Sequence, residues 1–544
     1  MTLRARVHGE AQLPTSVGPV VSARAGAAAI AVSIVLTIVV AGLGPSVMEP
    51  PLPGHKGQPP WSLVAHPSGY LVIALTAVAI LAGAIGLALA MHAARRGWTV
   101  SPRLVLTLGL LAAAALALLP PFGSSDHLSY AAYGRMFVTG HNPYLTTPNA
   151  LARLGDPVAR AVEDWKTSPS VYGVLATGGE ALASLIGGTS VRLTVFVLSL
   201  LNLAGFAGTG LLLHRLAGRD RGRQLRAALL WTCNPLLLQV LVAGEHVDSQ
   251  AIVFAVAAIA AFALALRRSA DGAGAGRCAL LAAVAGVLAG LGFAVKLSMV
   301  LVPAGLALAC LLALPLRTRP RPAVPLLGGL IAGFAVVAAA ALAIGGLTSL
   351  RTALSAGSYV AIGTPWRWVR AAISLGTGEG PADDLVKAAA AVAVLALAWL
   401  MLRKLPGPIR LIPPDQDPGL VAAGSRIAGR ETASLLARAV LAFALAWLTA
   451  GPYILPWYDA LAWAVLPLLP WSTIDWLVLA RTTALAIGYL PARTVAMPSG
   501  MGWLVTVVRR GVTPSLLLII AVLLVINLRS RQVTNRAVPA EGSV

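Results

Sequence analysis

The strongest constraint on this chain is a succession of apolar runs, most of them about as long as a bilayer is thick, which recur from residue 25 to residue 528. A helix needs about 20 apolar residues to cross a hydrocarbon core, and within that core every backbone N–H and C=O must be satisfied inside its own segment. The sequence therefore predicts an all-α integral membrane protein, a multi-span helical bundle of about 13–15 transmembrane helices. The expected spans are 25–44, 69–91, 103–120, 191–213, 226–243, 249–267, 278–295, 298–316, 324–346, 385–402, 434–455, 457–470, 474–490 and 514–528. Segment 171–187 is apolar but carries Glu180 and several glycines, and reads as a re-entrant or surface-lying helix. Composition agrees: 58% of residues are hydrophobic and 11% charged, where soluble proteins carry about 25% charged residues.

The formal net charge of +21 raises nucleic acid as a partner. No basic helix with interleaved aromatics accompanies it, so nucleic acid is not expected. Most arginines sit in short stretches between apolar runs, where they set topology and meet the headgroups of membrane lipids. With the N-terminal segment 1–24 in the cytoplasm, alternation puts Arg95, Arg96 and Arg103 inside, then Arg215 to Arg226, Arg267 to Arg277, Arg317 to Arg321, Arg403 to Arg410, and the tail 529–544. Arg351, Arg367, Arg370, Arg493, Arg509 and Arg510 fall outside, against the rule. Residues 25–528 then form one transmembrane domain, with a large outer loop at 121–190. The protein is expected in the plasma membrane, as a multi-pass chain. No cleavable signal peptide is evident, and the first run reads as an anchor. Cys233, Cys278 and Cys310 lie in apolar runs without a CxxC pair and read as small buried hydrophobes.

This parity sends the chemically interesting stretches to the outer side: 121–170, Gly244 to Asp248, Lys296, the loop 347–384, Gly451 to Asp459, and 491–513. The inner side receives linkers, including Ser269 to Gly276 and the Pro/Gly-rich 404–430. Asp126 follows the 103–120 run. A partly desolvated carboxylate there is a stronger base, and it reads equally as a catalyst or a helix cap. Glu245, His246 and Asp248 cluster between two runs; Asp248 also reads as a helix cap, and a metal reading stays open although the spacing matches no zinc or magnesium pattern. Lys296 stands between two apolar runs, where a charge must find a cavity, a phosphate or the interface. Tyr453, Trp457, Tyr458 and Trp463 suit an interfacial belt and equally a sugar ring. Tyr359, Trp366 and Trp368 with Arg367 and Arg370 form a second aromatic-basic stretch. Arg481 is an intramembrane charge with no partner evident in the sequence.

The stretch SSDHLSYAAYGRMFVTGHNPY resembles the first outer-loop motif of the actinobacterial polyprenol-phosphate-mannose-dependent α-(1→6)-mannosyltransferases, multi-span enzymes of the C-type glycosyltransferase superfamily. That motif has an Asp near its start, then Tyr-Ala-Ala-x-Gly and a closing Pro-Tyr, here Asp126, Tyr130 to Gly134, and Pro143-Tyr144. Asn234-Pro235 with His246 and Asp248, Lys296, and Pro456-Trp457-Tyr458 with Trp463 also resemble family stretches in the family's order. The chain departs at His127, where a hydrophobic residue is usual, and at Val247, where Asn is usual. The resemblance, from about Leu104 to Tyr489, implies the C-type glycosyltransferase fold and an inverting, α-1,6 transfer of mannose from a polyprenyl-phosphate donor to a lipid-linked glycan acceptor. Asp126 would be the general base, and His246 and Lys296 would bind the donor phosphate. Tyr130, Glu245, Asp248, Trp457 and Tyr458 would bind acceptor or sugar. No cofactor is called for, with a divalent metal left open. The competing readings are a transferase of another polyprenyl-linked sugar, such as arabinose or glucose, and a transporter or flippase of lipid-linked sugars.

Overall fold

The computed structural model describes residues 17–313, 320–356, 359–404, 418–495 and 497–534. All regular structure among them is helical. Among the described residues, nine helices are long and apolar enough to cross a membrane: Val20–Leu43, Gly69–Arg95, Val191–Leu216, Arg221–Ala243, Asp248–Ala270, Ala275–Val295, Ala323–Ala356, Glu379–Leu402 and Ser499–Arg529. Four shorter apolar helices accompany them: Pro102–Ala117, Val174–Gly187, Leu297–Leu312 and Ser434–Ala450. Ile85, Leu111, Val336 and Leu395 are exposed. A water-soluble surface rarely carries so much apolar area, and lipid is its natural solvent.

Among the described residues, thirteen of the fourteen expected spans fall on helical segments. The exception is 457–470, which folds as three short turns, Pro456–Asp459, Ala460–Val465 and Leu466–Leu468. Pro456 and Pro467 break the run, and Trp463, Ala464 and Val465 are fully buried, so this stretch is a plug inside the bundle rather than a lipid-facing span. Val174–Gly187 has 14 residues, a length of about 21 Å at 1.5 Å per residue against about 30 Å of hydrocarbon. The stretch 347–384, expected as a loop, contains the end of one helix and the whole of Trp366–Thr377. Residues 418–430, expected as linker, are the first turns of the helix Pro418–Ala450; Ala and Arg favour helix in spite of the glycines. Residues 405–417 lie outside the described residues.

Two buried ion pairs hold the helix Thr473–Gly488 in place. Arg481 is bound by Asp459 and donates to the Leu448 carbonyl at 2.6 Å; Thr482 Oγ1 donates to the same Asp459 at 2.8 Å. The partner that Arg481 lacked in sequence is thus supplied by the plug. Arg226 pairs with Asp475 at 2.5 Å and stacks 4.0 Å over Trp471. It is buried, so it is a packing residue rather than one of the charges that meet headgroups. Charges taken out of water survive only when paired in this way.

Candidate active site

The site is assembled at one end of the bundle from parts of the chain far apart in sequence. The first is the helix Asp126–Val138, whose entry is pinned by Phe122 N donating to the Ala243 carbonyl at 2.9 Å and Gly123 N to the Met48 carbonyl at 2.7 Å. Ser124 Oγ accepts from Asp126 N at 3.1 Å, which starts the helix and puts the Asp126 carboxylate in its first turn. Gly134 lets this helix lie directly on Val174–Gly187: a Cβ there would stand 2.1 Å from the Glu180 carbonyl oxygen. The glycine of the Tyr-Ala-Ala-x-Gly pattern is therefore a packing requirement.

Residues 161–170 fold over the same helix. Ser125 Oγ donates to Asp164 Oδ2 at 2.5 Å, Ser129 Oγ to the Asp164 carbonyl at 3.4 Å, and Tyr133 Oη to the Ser168 carbonyl at 3.1 Å. Those three donors are four residues apart and share one helical face. Glu163, next to Asp164, is held by Arg493, which binds both of its oxygens at 2.5 and 2.6 Å. Arg493 also donates to the carbonyls of Ser46 and Glu49, so one guanidinium ties three connecting segments together.

His246 comes from the third part. The segment Arg221–Ala243 is broken at Asn234-Pro235, where Asn234 Oδ1 caps Leu236 N and Leu237 N at 3.1 and 3.3 Å. A π turn, Leu238–Ala243, and a left-handed Glu245 (φ 52°) follow. Such a turn and such a backbone are uncommon and cluster at functional positions. Their result is that His246 lies flat on Trp457, with ring centroids 3.5 Å apart at 11°, and its Nδ1 is 3.6 Å from Asp126 Oδ2. Lys296, in extended backbone between two helices, grips both oxygens of Asp248 at 2.7 and 2.8 Å and stands 4.0 Å over the Tyr458 ring.

In front of these groups is a cleft of about 660 Å³. Asp126 lines it, together with Ser129, Tyr130, Tyr133, Trp165 and Tyr172. The lining continues in aromatic rings, Tyr359, Tyr453, Trp457, Tyr458 and Tyr489, successive rings being 5–7 Å apart. Behind Trp457 and His246 is a second, mostly apolar cavity of about 370 Å³, lined by Met48, Ile80, Phe122, Val240 and Leu490 among others.

The Asp126 side chain is 13% exposed. Burial pushes its carboxyl up to about 7, and the Asp164 charge adds to this, whereas Lys296 and a hydrogen bond from Trp165 oppose it. A carboxylate poised near neutrality is a competent general base. Burial, with the Lys296 charge, keeps the His246 imidazole well below its ordinary range and therefore neutral. His127, the residue that departs from the motif, is fully buried; burial and the Arg493 charge push it down to about 3, and neither ring nitrogen has a partner.

Of the residues singled out in sequence, Asp126, Tyr130, Trp457 and Tyr458 line the cleft. His246, Asp248 and Lys296 stand immediately behind it. Glu245 does not join them. It accepts from Ser199 Oγ at 3.0 Å and faces a separate small cavity with Glu180 and Asn202, because the left-handed turn that aims His246 at Asp126 sends the preceding side chain the other way. Sequence reasoning missed Asp164, Trp165, Tyr172 and the Arg493 tie. A carboxylate beside a tryptophan in the same long loop as Asp126 was the available signal for the first two. Among the described residues no three His, Cys, Asp or Glu side chains group closely enough to hold a metal ion.

A model of the family described as alpha-(1->6)-mannopyranosyltransferase, N-terminal domain, matches residues 26–313. The chain is 31% identical over 137 residues to alpha-(1->6)-mannopyranosyltransferase B of Corynebacterium glutamicum, an alignment covering 25% of this chain and 23% of that protein. It is 27% identical over 129 residues to alpha-(1->6)-mannopyranosyltransferase A of the same organism, covering 24% and 26%. To a probable alpha-(1->6)-mannopyranosyltransferase of Mycolicibacterium smegmatis it is 32% identical over 136 residues, covering 24% of each. The chain thus spans about a quarter of the length of the curated relatives it matches. No solved structure matches.

Proposed function

The chain belongs to the alpha-(1->6)-mannopyranosyltransferase family, and from that premise we propose that it is a membrane glycosyltransferase. It moves a mannosyl group from polyprenyl-phosphate mannose to a lipid-anchored mannan on the extracytoplasmic face of the plasma membrane. The observation that carries this reading is the Asp126 carboxyl, raised to about 7 at the wall of an aromatic-lined cleft. Ionised Asp126 takes the proton of an acceptor hydroxyl as that oxygen attacks the anomeric carbon. The bond from that carbon to the phosphate oxygen breaks, and the polyprenyl phosphate leaves with the electron pair. Displacement inverts the centre, so an α product requires a β-linked donor.

Tyr130, Trp457 and Tyr458 offer ring faces and hydroxyls to the sugars. The apolar cavity behind Trp457 suits the first part of the polyprenyl chain. The leaving phosphate is then placed near His246 and Lys296, where preorganised donors count most. Lys296 is already bound by Asp248, so its part is to hold a fixed dipole rather than to supply a free cation. The test is transfer of labelled mannose from polyprenyl-phosphate mannose to a short α-linked mannoside by the purified protein. Asp126→Asn is expected to lose about 10²–10⁴-fold in turnover while remaining folded. Wild-type turnover in that variant would sink the base assignment, and transfer only from another lipid-linked sugar would move the donor.

A further inference from the structure

The proposed orientation, on which this inference rests, leaves six arginines on the outer side against the positive-inside rule, and four of them lie on two helical segments, Trp366–Thr377 and Leu504–Val512. Both are amphipathic, with arginines on one side and Trp, Val, Ile and Leu on the other, the pattern of helices that lie in a headgroup plane. The stretch Ser499–Arg529 has 31 residues, about 46 Å of helix against about 30 Å of hydrocarbon. About ten residues must therefore lie outside the core, which places Arg509 and Arg510 at its edge.

The partners of these arginines sort them. Arg370 is bound by Asp383 and Glu379. Arg509 is used up by the carbonyls of Gly488, Tyr489 and Pro491, the last at 2.8 Å. Arg367 and Arg510 have no side-chain partner among the described residues. The two segments are knit together by Trp368 Nε1, which donates to the Arg510 carbonyl at 3.0 Å. Burial and the neighbouring Arg510 and Arg370 charges hold the Arg367 guanidinium below its ordinary range. Two guanidinium groups without an acidic partner, on segments joined by that hydrogen bond, are matched by an anion with several oxygens. Trp368, Val507 and Val512 are exposed beside them, a surface for acyl chains. The first of these segments borders the cleft: Ala361 N donates to the Pro452 carbonyl at 3.0 Å and Trp366 Nε1 to the Ala450 carbonyl at 2.8 Å, next to the cleft residues Tyr359 and Tyr453.

We propose that Arg367 and Arg510 together bind the headgroup phosphate of an anionic phospholipid of the outer leaflet, beside the mouth of the cleft. The bound lipid fixes the depth at which the cleft meets the headgroup plane. Purified protein in a neutral maltoside is titrated with short-chain phosphatidylglycerol or phosphatidylcholine, and retained lipid is counted by native mass spectrometry. This readout needs no turnover, so it stands or falls apart from the transfer reaction. Wild type should retain phosphatidylglycerol in preference; Arg367→Gln and Arg510→Gln should each weaken retention about fivefold, and the pair together about 25-fold. The Arg→Lys versions should keep most of it. Equal retention of the two lipids by wild type would overturn the proposal. So would undiminished phosphatidylglycerol retention in the double Gln variant, and if that variant instead raised KM for polyprenyl-phosphate mannose, the pair would belong to the donor.

Discussion

At the scale of single residues, Asp126 and Arg481 are both charges in apolar surroundings, resolved in opposite ways. Arg481 is neutralised by Asp459, whereas Asp126 has Asp164 as a neighbour, and Lys296 and Trp165 offset its burial only in part. As a base it must be ionised, so turnover should rise with pH through about 7 and fall about tenfold per unit below that. Asp164→Asn removes a like charge and should move the acidic limb of the kcat profile to lower pH. The limb should still lie above the ordinary carboxylate range, because burial is the larger cause. An unmoved limb would detach Asp164 from the base. Arg481→Met leaves Asp459 buried and unpaired, a loss of about 3–5 kcal/mol. Thermal unfolding in detergent should show it, and adding Asp459→Asn should restore part.

At the scale of elements, the helix Asp126–Val138 is positioned from two sides. Its Ser125, Ser129 and Tyr133 face carries the 161–170 segment, and its Gly134 face lies on Val174–Gly187. Gly134→Ala puts a methyl 2.1 Å from a backbone oxygen, which must push the two helices apart and carry Asp126 with them. Overpacking of this kind costs about 1–3 kcal/mol. The expected result is a protein that inserts and purifies but has lost most of its turnover. Gly178→Ala, on the facing helix, meets nothing within 4 Å and should be silent; equal loss in both variants would remove the packing explanation. The plug of Pro456–Leu468 works in the same way, holding Trp457 under His246 while Asp459 anchors it to Arg481.

At the scale of the whole molecule, the parts that chemistry needs gather at one end of the bundle, and Arg493 fastens the segments that converge there. The proposed orientation makes that end extracytoplasmic. Ala150 and Gly222 are both exposed. With cysteine placed at each in turn, an impermeant thiol reagent applied to intact cells should label Ala150→Cys and spare Gly222→Cys. The reverse pattern would invert the orientation and put the transfer in the cytoplasm.

The lipid solvent, most of the helices and the stretch around Asp126 were legible in the order of the residues. Run length and the scarcity of charge leave a bilayer no other fold, and the motif around Asp126 lies in consecutive residues. Asn234-Pro235 marked a break, but its consequence for His246 and Glu245 lay in a left-handed turn that no composition announces. Contacts between residues distant in the chain emerged only with the packed bundle. Arg481 meets Asp459 across 22 positions, Lys296 meets Asp248 across 48, and Glu163 meets Arg493 across 330. Side-chain charges this far apart in sequence have no periodicity to betray them. Their pairing follows from which helices touch, and that is set by the packing of the whole bundle.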